Sequence, residues 1–236
     1  MFQTMRTALA VAALTTLAGA AQAAELQRVR GTIEKSDAGT VTIKTTDGTS
    51  ETVQVGGAKF AWVVKSSLDQ IKEGTFIGTA TKGENPMTAL EVVLFPESMR
   101  GTAEGHYGWD AIPDHTAGGG GPVVKSSMTN GTVKASGAGA SAGGAPKVKS
   151  SMTNATVASS NAGSGSGGER TLTVTYDKDG SKTIVVPPKA PIVAFDPADK
   201  SILTPGAKIF VVAAKDGAKL EGKLVAVGKD GLTPPM

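Results

Sequence analysis

The chain carries the same succession of strand and turn signals twice, and this duplication constrains its fold more than any other feature. The first copy contains RGTIEKSDAGTVTIKTTDGTSETVQV, followed by AKFAWVV, SSLDQIKEGTFIGTATKG and ALEVVLF. The second contains NATVASSNAGSGSGGERTLTVTYDKDGSKTIVV, followed by APIVAF, KSILTPGAKIFVVAAKDG and LEGKLVAVG. Internal self-similarity of this kind predicts two structurally similar β units.

Alternation of apolar and polar residues predicts the strands inside each copy. In the first copy it covers residues 29–35 and 40–45, and Asp47-Gly48 between two β-rich runs is a hairpin signal. The second copy has its counterpart at Asp179-Gly180. A short helical signal follows in each copy, near residues 66–71 and 201–203, with glycine as the stop.

Three strands, a short helical connection and two further strands is the order of an OB-like Greek-key barrel. We therefore predict an all-β fold with a tandem pair of small OB-like five-stranded barrels, each with a short helix, joined by a flexible Gly/Ser-rich linker. A small sandwich of the same strand count is the alternative. The predicted domains are 24–97 and 150–236, with 98–149 as loop and linker, and we expect the Gly/Ser loop near 159–168 to be disordered.

The first 23 residues have the pattern of a signal peptide. One positive charge precedes an apolar run at residues 7–20, and the small-x-small site Ala21-Gln22-Ala23 predicts cleavage after Ala23. We expect an exported protein of the bacterial periplasm, with no transmembrane segment after cleavage because no later apolar run could span a bilayer.

Composition narrows the range of functions. There is no cysteine, which excludes thiolate metal sites and cysteine nucleophiles. The net charge is +3, lysines alternate with acidic residues, and aromatic residues make up 4% of the chain. Because a nucleic-acid surface needs clustered cations and aromatic platforms, we expect no nucleic-acid partner.

A short segment between the two copies is itself duplicated. PVVKSSMTNGTV at residues 122–133 recurs as PKVKSSMTNATV at residues 146–157. One interpretation is a repeated binding motif. The other, which we favour, is a local duplication in which the later copy supplies the first strand of the second β unit and the earlier copy is spare.

Several motifs are distinctive: FPESMRG at 95–101, Gly105-His106, Trp109-Asp110, MTNATV at 152–157 and VGKDGLTPPM at 227–236. With them the chain resembles a family of exported proteobacterial proteins of unknown function, built from two OB-like repeats. Members are often labelled automatically as metal ABC transporter permeases. That label does not fit a chain without transmembrane helices, so the resemblance implies fold and export rather than chemistry.

The residues between the two repeats are the candidates for chemistry. Histidine with carboxylate suits zinc or nickel, and histidine with methionine suits copper. An alternative is that the aromatic residues pin this loop to a barrel and the histidines are surface polar residues. The candidate metal ligands are His106, His115, Asp110, Asp114 and Met99, and the candidate binding residues are His106, Tyr107, Trp109, Asp110 and Arg100.

No sequence frame for a nucleophile and base, a phosphate loop or a carboxylate pair can be recognised. We therefore predict a non-catalytic periplasmic binding or adaptor protein, which presents its barrels to an envelope protein or peptide. The alternative is a periplasmic metal-binding accessory protein that uses the His106/His115 loop for a copper, zinc or nickel ion.

Overall fold

The computed structural model describes residues 25–117, 121–138, 168–177 and 179–235. The signal-peptide prediction, residues 159–167 of the predicted Gly/Ser loop and the later copy of the duplicated segment lie outside the described residues. The described part is built from β-strands, so the all-β prediction is confirmed. Its strands are β1 (Glu25–Asp37), β2 (Thr40–Thr45), β3 (Ser50–Gln54), β4 (Lys59–Lys65), β5 (Phe76–Lys82), β6 (Met87–Leu94), β7 (Gly105–Pro113), β8 (Val123–Ala138), β9 (Arg170–Tyr176), β10 (Gly180–Val186), β11 (Ile192–Ala198), β12 (Lys208–Asp216) and β13 (Lys219–Gly228).

Helical structure in the described ranges is limited to single 3-10 turns. The short helix predicted in each repeat is present in this form, at Leu68–Gln70 and Lys200–Ile202. The second turn is capped by Asp199, whose carboxylate accepts a hydrogen bond from the Ser201 amide at 2.8 Å. The remaining turns are Glu97–Met99, His115–Ala117 and Lys229–Gly231.

Hydrogen bonds between strands close into two five-strand rings. Ring 1 has the order β13-β12-β1-β2-β3, and the parallel pairing of β3 with β13 closes it. Ring 2 has the order β6-β5-β8-β9-β10, and the parallel pairing of β10 with β6 closes it. The path between them runs from β6 through β11 and β4 to β13.

Each ring takes strands from both repeats. Ring 1 combines β1–β3 of the first repeat with β12 and β13 of the second, and ring 2 combines β8–β10 with β5 and β6. At the centre, β4 and β11 pair antiparallel with Phe195 opposite Val63. The pairing therefore does not follow the predicted boundaries 24–97 and 150–236. The repeats interlock because β4 and β11 carry the chain from one ring to the other.

The region predicted as loop and linker contains two strands. β7 and β8 pair along most of their length, and β8 also pairs with β5 and β9. The loop-and-linker prediction for 98–149 was wrong for these residues, because the two copies carry the same β pattern and the strand was assigned to the later copy, residues 146–157. Residues 122–133, predicted to be the spare copy, supply most of β8.

Three apolar clusters fill the described part. The first lies in ring 1 and includes Val41, Ile43 and Val211. The third lies in ring 2 and includes Leu172 and Val174. The second lies between the rings and draws on β4–β8 and β11–β13, so the contact region between the rings (the seam) has a core of its own. Its members include Phe195, Phe210, Leu90, Val93, Met128 and Ile112.

A glycine lets strands approach closely at the same place in each ring. A Cβ on Gly31 would lie 2.0 Å from the Lys44 carbonyl oxygen, and one on Gly131 would lie 2.3 Å from that of Thr175. The two strands also share a register irregularity just after the glycine, between Ile33 and Lys35 in β1 and between Val133 and Ala135 in β8. This shared geometry makes β8 the structural counterpart of β1.

Candidate functional site

An ionic cluster joins ring 1 to the edge strand β7. Arg28 and Arg30 are two residues apart on β1, so both side chains leave the strand on the face opposite the buried Val29. Their guanidinium groups donate to the two oxygens of Asp110, at 2.9 Å from Arg28 and 2.7 Å from Arg30. One carboxylate therefore bridges two cations that would otherwise repel each other.

Aromatic rings support both guanidinium groups. Arg28 lies 3.8 Å above the ring centre of Trp109, and Arg30 lies 5.1 Å from that of Phe210. Both distances are in the range of cation–π attraction. The indole N–H of Trp109 is buried and donates to no acceptor in the described residues. Trp109 and Asp110 thus attach β7 to ring 1 through their side chains.

A buried carboxyl group lies close to this cluster. Glu91 on β6 is fully buried, and neither of its side-chain oxygens has a hydrogen-bond partner within the described ranges. Burial raises the pKa of Glu91 well above its ordinary value, and the charge of Arg30 opposes this shift. Glu91 is therefore held near an arginine without the hydrogen bonds that normally stabilise a buried charge.

A groove of about 1120 Å³ opens at one end of ring 1. Its walls are the β1–β2 turn at residues 36–39, the β3–β4 connection, the turn at Glu97–Met99 and the end of β11. Both repeats therefore contribute to it. Its apolar lining includes Val55, Phe60, Met99 and Leu203, and its charged lining consists of Asp37, Lys59, Asp199 and Lys200.

The two histidines are far apart. His106 lies near the start of β7 opposite Thr129, whereas His115 follows its end, beyond Pro113, which lies opposite Val123. Six residues of extended strand separate those partners, which corresponds to roughly 20 Å. Because one ion needs its ligands within a few ångströms, the structure does not bring His106 and His115 together.

The other candidate metal ligands have separate roles in the fold. Asp110 binds the two arginines, and Met99 is buried in the core between the rings. Asp114 pairs with Lys82 and also accepts hydrogen bonds from the amide and hydroxyl of Thr116. In the part of the chain that the structure describes, no group of three or more histidine, aspartate and glutamate side chains is placed to hold a metal. The metal-binding alternative stays a prediction.

The predicted binding residues lie along β7 and beside it. The ring nitrogen Nδ1 of His106 is 2.9 Å from the Thr129 hydroxyl, and burial lowers the pKa of this histidine, with Lys182 adding to the effect. Burial also raises the pKa of Tyr107. Arg100 pairs with Glu97 and donates to the Gly74 carbonyl at 2.9 Å, so it anchors a turn.

Sequence reasoning missed Arg28, Arg30 and Glu91. The arginines carry a usable signal, because Arg-Val-Arg at strand spacing places two cations on one face. Glu91 carries another, since it is the one charged residue in the apolar run ALEVVLF. The groove has no such signal, because residues from four separate segments line it.

No family model, curated protein or solved structure matches this chain. Within the described ranges, no helix has the length and apolar character needed to cross a membrane.

Proposed function

We propose that this is a non-catalytic binding or adaptor protein of the periplasm, which takes a peptide or an extended segment of an envelope protein in the groove of ring 1. The observation that carries the proposal is the groove itself, about 1120 Å³ in volume and lined by apolar and charged side chains. The signal-like residues 1–23 support export to the periplasm.

The chemistry of the groove suits a peptide. Apolar side chains such as Phe60 and Leu203 offer places for the partner's apolar side chains, while Lys59 and Asp199 offer charges of both signs at the rim. Extended peptides are commonly held in this way, with pockets for alternate side chains and polar groups for the rest. The volume of about 1120 Å³ exceeds the roughly 300–1,000 Å³ of small-ligand sites, which also favours a longer partner.

We infer in addition that each ring is an OB-like barrel. Five strands, a closing contact and one 3-10 turn support this inference. OB-fold proteins often bind ligands beside the loop between their first two strands. The groove includes the corresponding turn, Ser36 to Gly39, although this correspondence is an analogy of fold.

The test is to fill the groove without disturbing the backbone. A Cβ on Gly56 meets no atom within 4 Å, and Gly56 lines the groove. Gly56→Trp should therefore block the site in a folded protein. Gly108→Trp is the matched control, because Gly108 is equally open but lies on β7, away from the groove.

Peptides would be selected from a displayed random library with the unmodified protein. We expect the selected peptides to bind Gly108→Trp normally and Gly56→Trp at least tenfold more weakly. Selected peptides that bind both variants equally would place the site elsewhere. A library that yields no binder would contradict peptide recognition.

A further inference from the structure

The strand β8 occupies a position for which the chain contains two nearly identical candidates. Residues 122–133 and 146–157 differ at only two positions, Val123 against Lys147 and Gly131 against Ala155. Residues 122–133 lie in the position, between β5 and β7. The structure therefore allows a direct comparison of how well each sequence fits the same surroundings.

Every buried side chain that the first copy supplies recurs in the second. In residues 122–133 the buried side chains are Ser126, Met128, Thr129, Asn130 and Val133. At the equivalent positions the second copy has Ser150, Met152, Thr153, Asn154 and Val157.

The hydrogen bonds of these side chains would be available to either copy. The Ser126 hydroxyl donates to the Asp110 carbonyl at 2.7 Å, and the Asn130 amide donates to the Ala103 carbonyl at 3.0 Å. Val123 is 64% exposed, so Lys147 in its place would meet solvent. Only the glycine position separates the two copies sterically.

Gly131 is the residue that distinguishes them. A Cβ at this position would lie 2.3 Å from the Thr175 carbonyl oxygen and 2.9 Å from Cγ1 of Val174. The obstacle is backbone of the paired strand β9, so a side chain cannot simply turn aside. Ala155 could take this place only if β9 moved outward.

Chain connectivity does not favour either copy strongly. With the first copy in place, nine residues (114–122) connect β7 to β8 and 31 residues (139–169) connect β8 to β9. A shift of 24 residues would make these connections 33 and 7 residues long. Because closure entropy grows only with the logarithm of loop length, one long and one short loop cost nearly the same in either arrangement.

We propose that the position of β8 can be taken by either copy, and that Gly131 against Ala155 sets the preference for the first. Exchange would move the Gly/Ala/Ser stretch at residues 139–145 from the β8–β9 connection to the β7–β8 connection, at the opposite end of the strand. The proposal concerns the choice of strand and is independent of the peptide groove.

Disulfide trapping reports which copy is in place, because the chain has no cysteine of its own. Gly108 and Ser127 lie opposite each other on β7 and β8, and directly opposed residues have a Cα separation that a disulfide can bridge. Gly108→Cys with Ser127→Cys reports the first copy. Gly108→Cys with Ser151→Cys reports the second, and Gly108→Cys with Ser150→Cys is the off-register control.

The decisive background is Ala155→Gly, which removes the obstacle from the second copy and leaves the described strands unchanged. On brief oxidation, we expect the Ser127 pair to close almost completely in the unaltered background. We expect Ala155→Gly to raise closure of the Ser151 pair at least fivefold, towards half of the molecules. Gly131→Ala should raise it further if that variant folds.

Closure of the Ser151 pair at the level of the off-register control, in the Ala155→Gly background, would overturn the proposal. Closure that occurs only between molecules, seen as disulfide-linked dimers on a non-reducing gel, would overturn it as well. Intramolecular closure that rises with Ala155→Gly supports it.

Discussion

Glu91 is buried at a position that disfavours its charged form. Its carboxyl group is fully buried without hydrogen-bond partners in the described part, and burial raises its pKa. In the unfolded chain the proton leaves near the ordinary value of 4.5, whereas the folded protein retains it to higher pH. The folded state thus binds more protons, so stability from this group is present below pH 4.5 and is lost as pH rises.

Glu91→Gln should therefore stabilise the protein at neutral pH, because the neutral amide removes the cost of either ionising the buried carboxyl group or keeping it protonated. The free energy of unfolding of this variant should also fall less steeply as the pH rises above 4.5. Urea denaturation at a series of pH values measures both effects, with the exposed Glu73→Gln as control. A lower stability of Glu91→Gln at pH 7 would instead mean that an ionised Glu91 is paired with Arg30.

Asp114 presents the opposite case. Hydrogen bonds from Lys82 and Thr116 lower the pKa of Asp114 from 3.8 to about 2. Its contribution to stability is present above pH 3.8 and is lost as pH falls towards 2. Because Lys82 is partly exposed, we expect Asp114→Asn to cost about 1–2 kcal/mol at pH 7. The cost should be smaller at pH 2.5, and an equal cost at both pH values would contradict this account.

At the scale of elements, β7 depends on two unequal attachments. Among the described strands its backbone pairs with β8 alone, and the rest of its attachment is made by side chains: Ile112 is buried in the core between the rings, and Asp110 binds Arg28 and Arg30. Asp110→Asn removes the charge that holds the two arginines together. We expect amide exchange in Gly105–Pro113 to become about fivefold faster, which corresponds to about 1 kcal/mol of local stability. Exchange in β12 serves as the internal reference, and an equal acceleration there would indicate global destabilisation.

Strand positions were predictable, but strand partners were not. The alternation in residues 40–45 predicts the bounds of β2, Asp47-Gly48 lies between β2 and β3, and Asp179-Gly180 lies at the start of β10. Partners could not be derived because β5 and β6 resemble β12 and β13, so either pair satisfies the pattern of β1–β3. The sequence does contain one signal for the partners, a glycine at the same place in the first strand of each ring: Gly31 in β1 and Gly131 in β8. Gly31 matches Gly131 and does not match Ala155, which identifies residues 122–133 as β8.

The candidate site was predictable only in part, for a related reason. Trp109 and Asp110 were chosen for their chemistry, and both are in the cluster at the seam. Their partners Arg28 and Arg30 are about 80 residues away in sequence, and only the pairing of the rings brings them near. Local sequence patterns indicate which interactions a side chain is able to make. Which partners it contacts depends on how distant strands pair.

At the scale of the whole molecule, the interlocked rings make the two repeats mutually dependent. The core of ring 1 combines Val29, Ile33 and Val41 of the first repeat with Val211 and Val225 of the second. A fragment that ends before the second repeat would leave the apolar face of β1–β3 without its partners, and burial of that face is a main source of stability. Neither repeat therefore contains a complete ring as it is paired in the protein.

We therefore predict that fragments 24–97 and 98–236 do not fold as separate monomers. Each alone should give poorly dispersed amide NMR spectra, and an equimolar mixture should recover the dispersion of the intact chain. A fragment 24–97 with the spectrum of a folded monomer would show that β1–β3 can pair with β5 and β6 of their own repeat. In that case β1–β3 would not intrinsically prefer β12 and β13 over β5 and β6. The bridging strand β4 would then be the element that makes each ring take strands from both repeats.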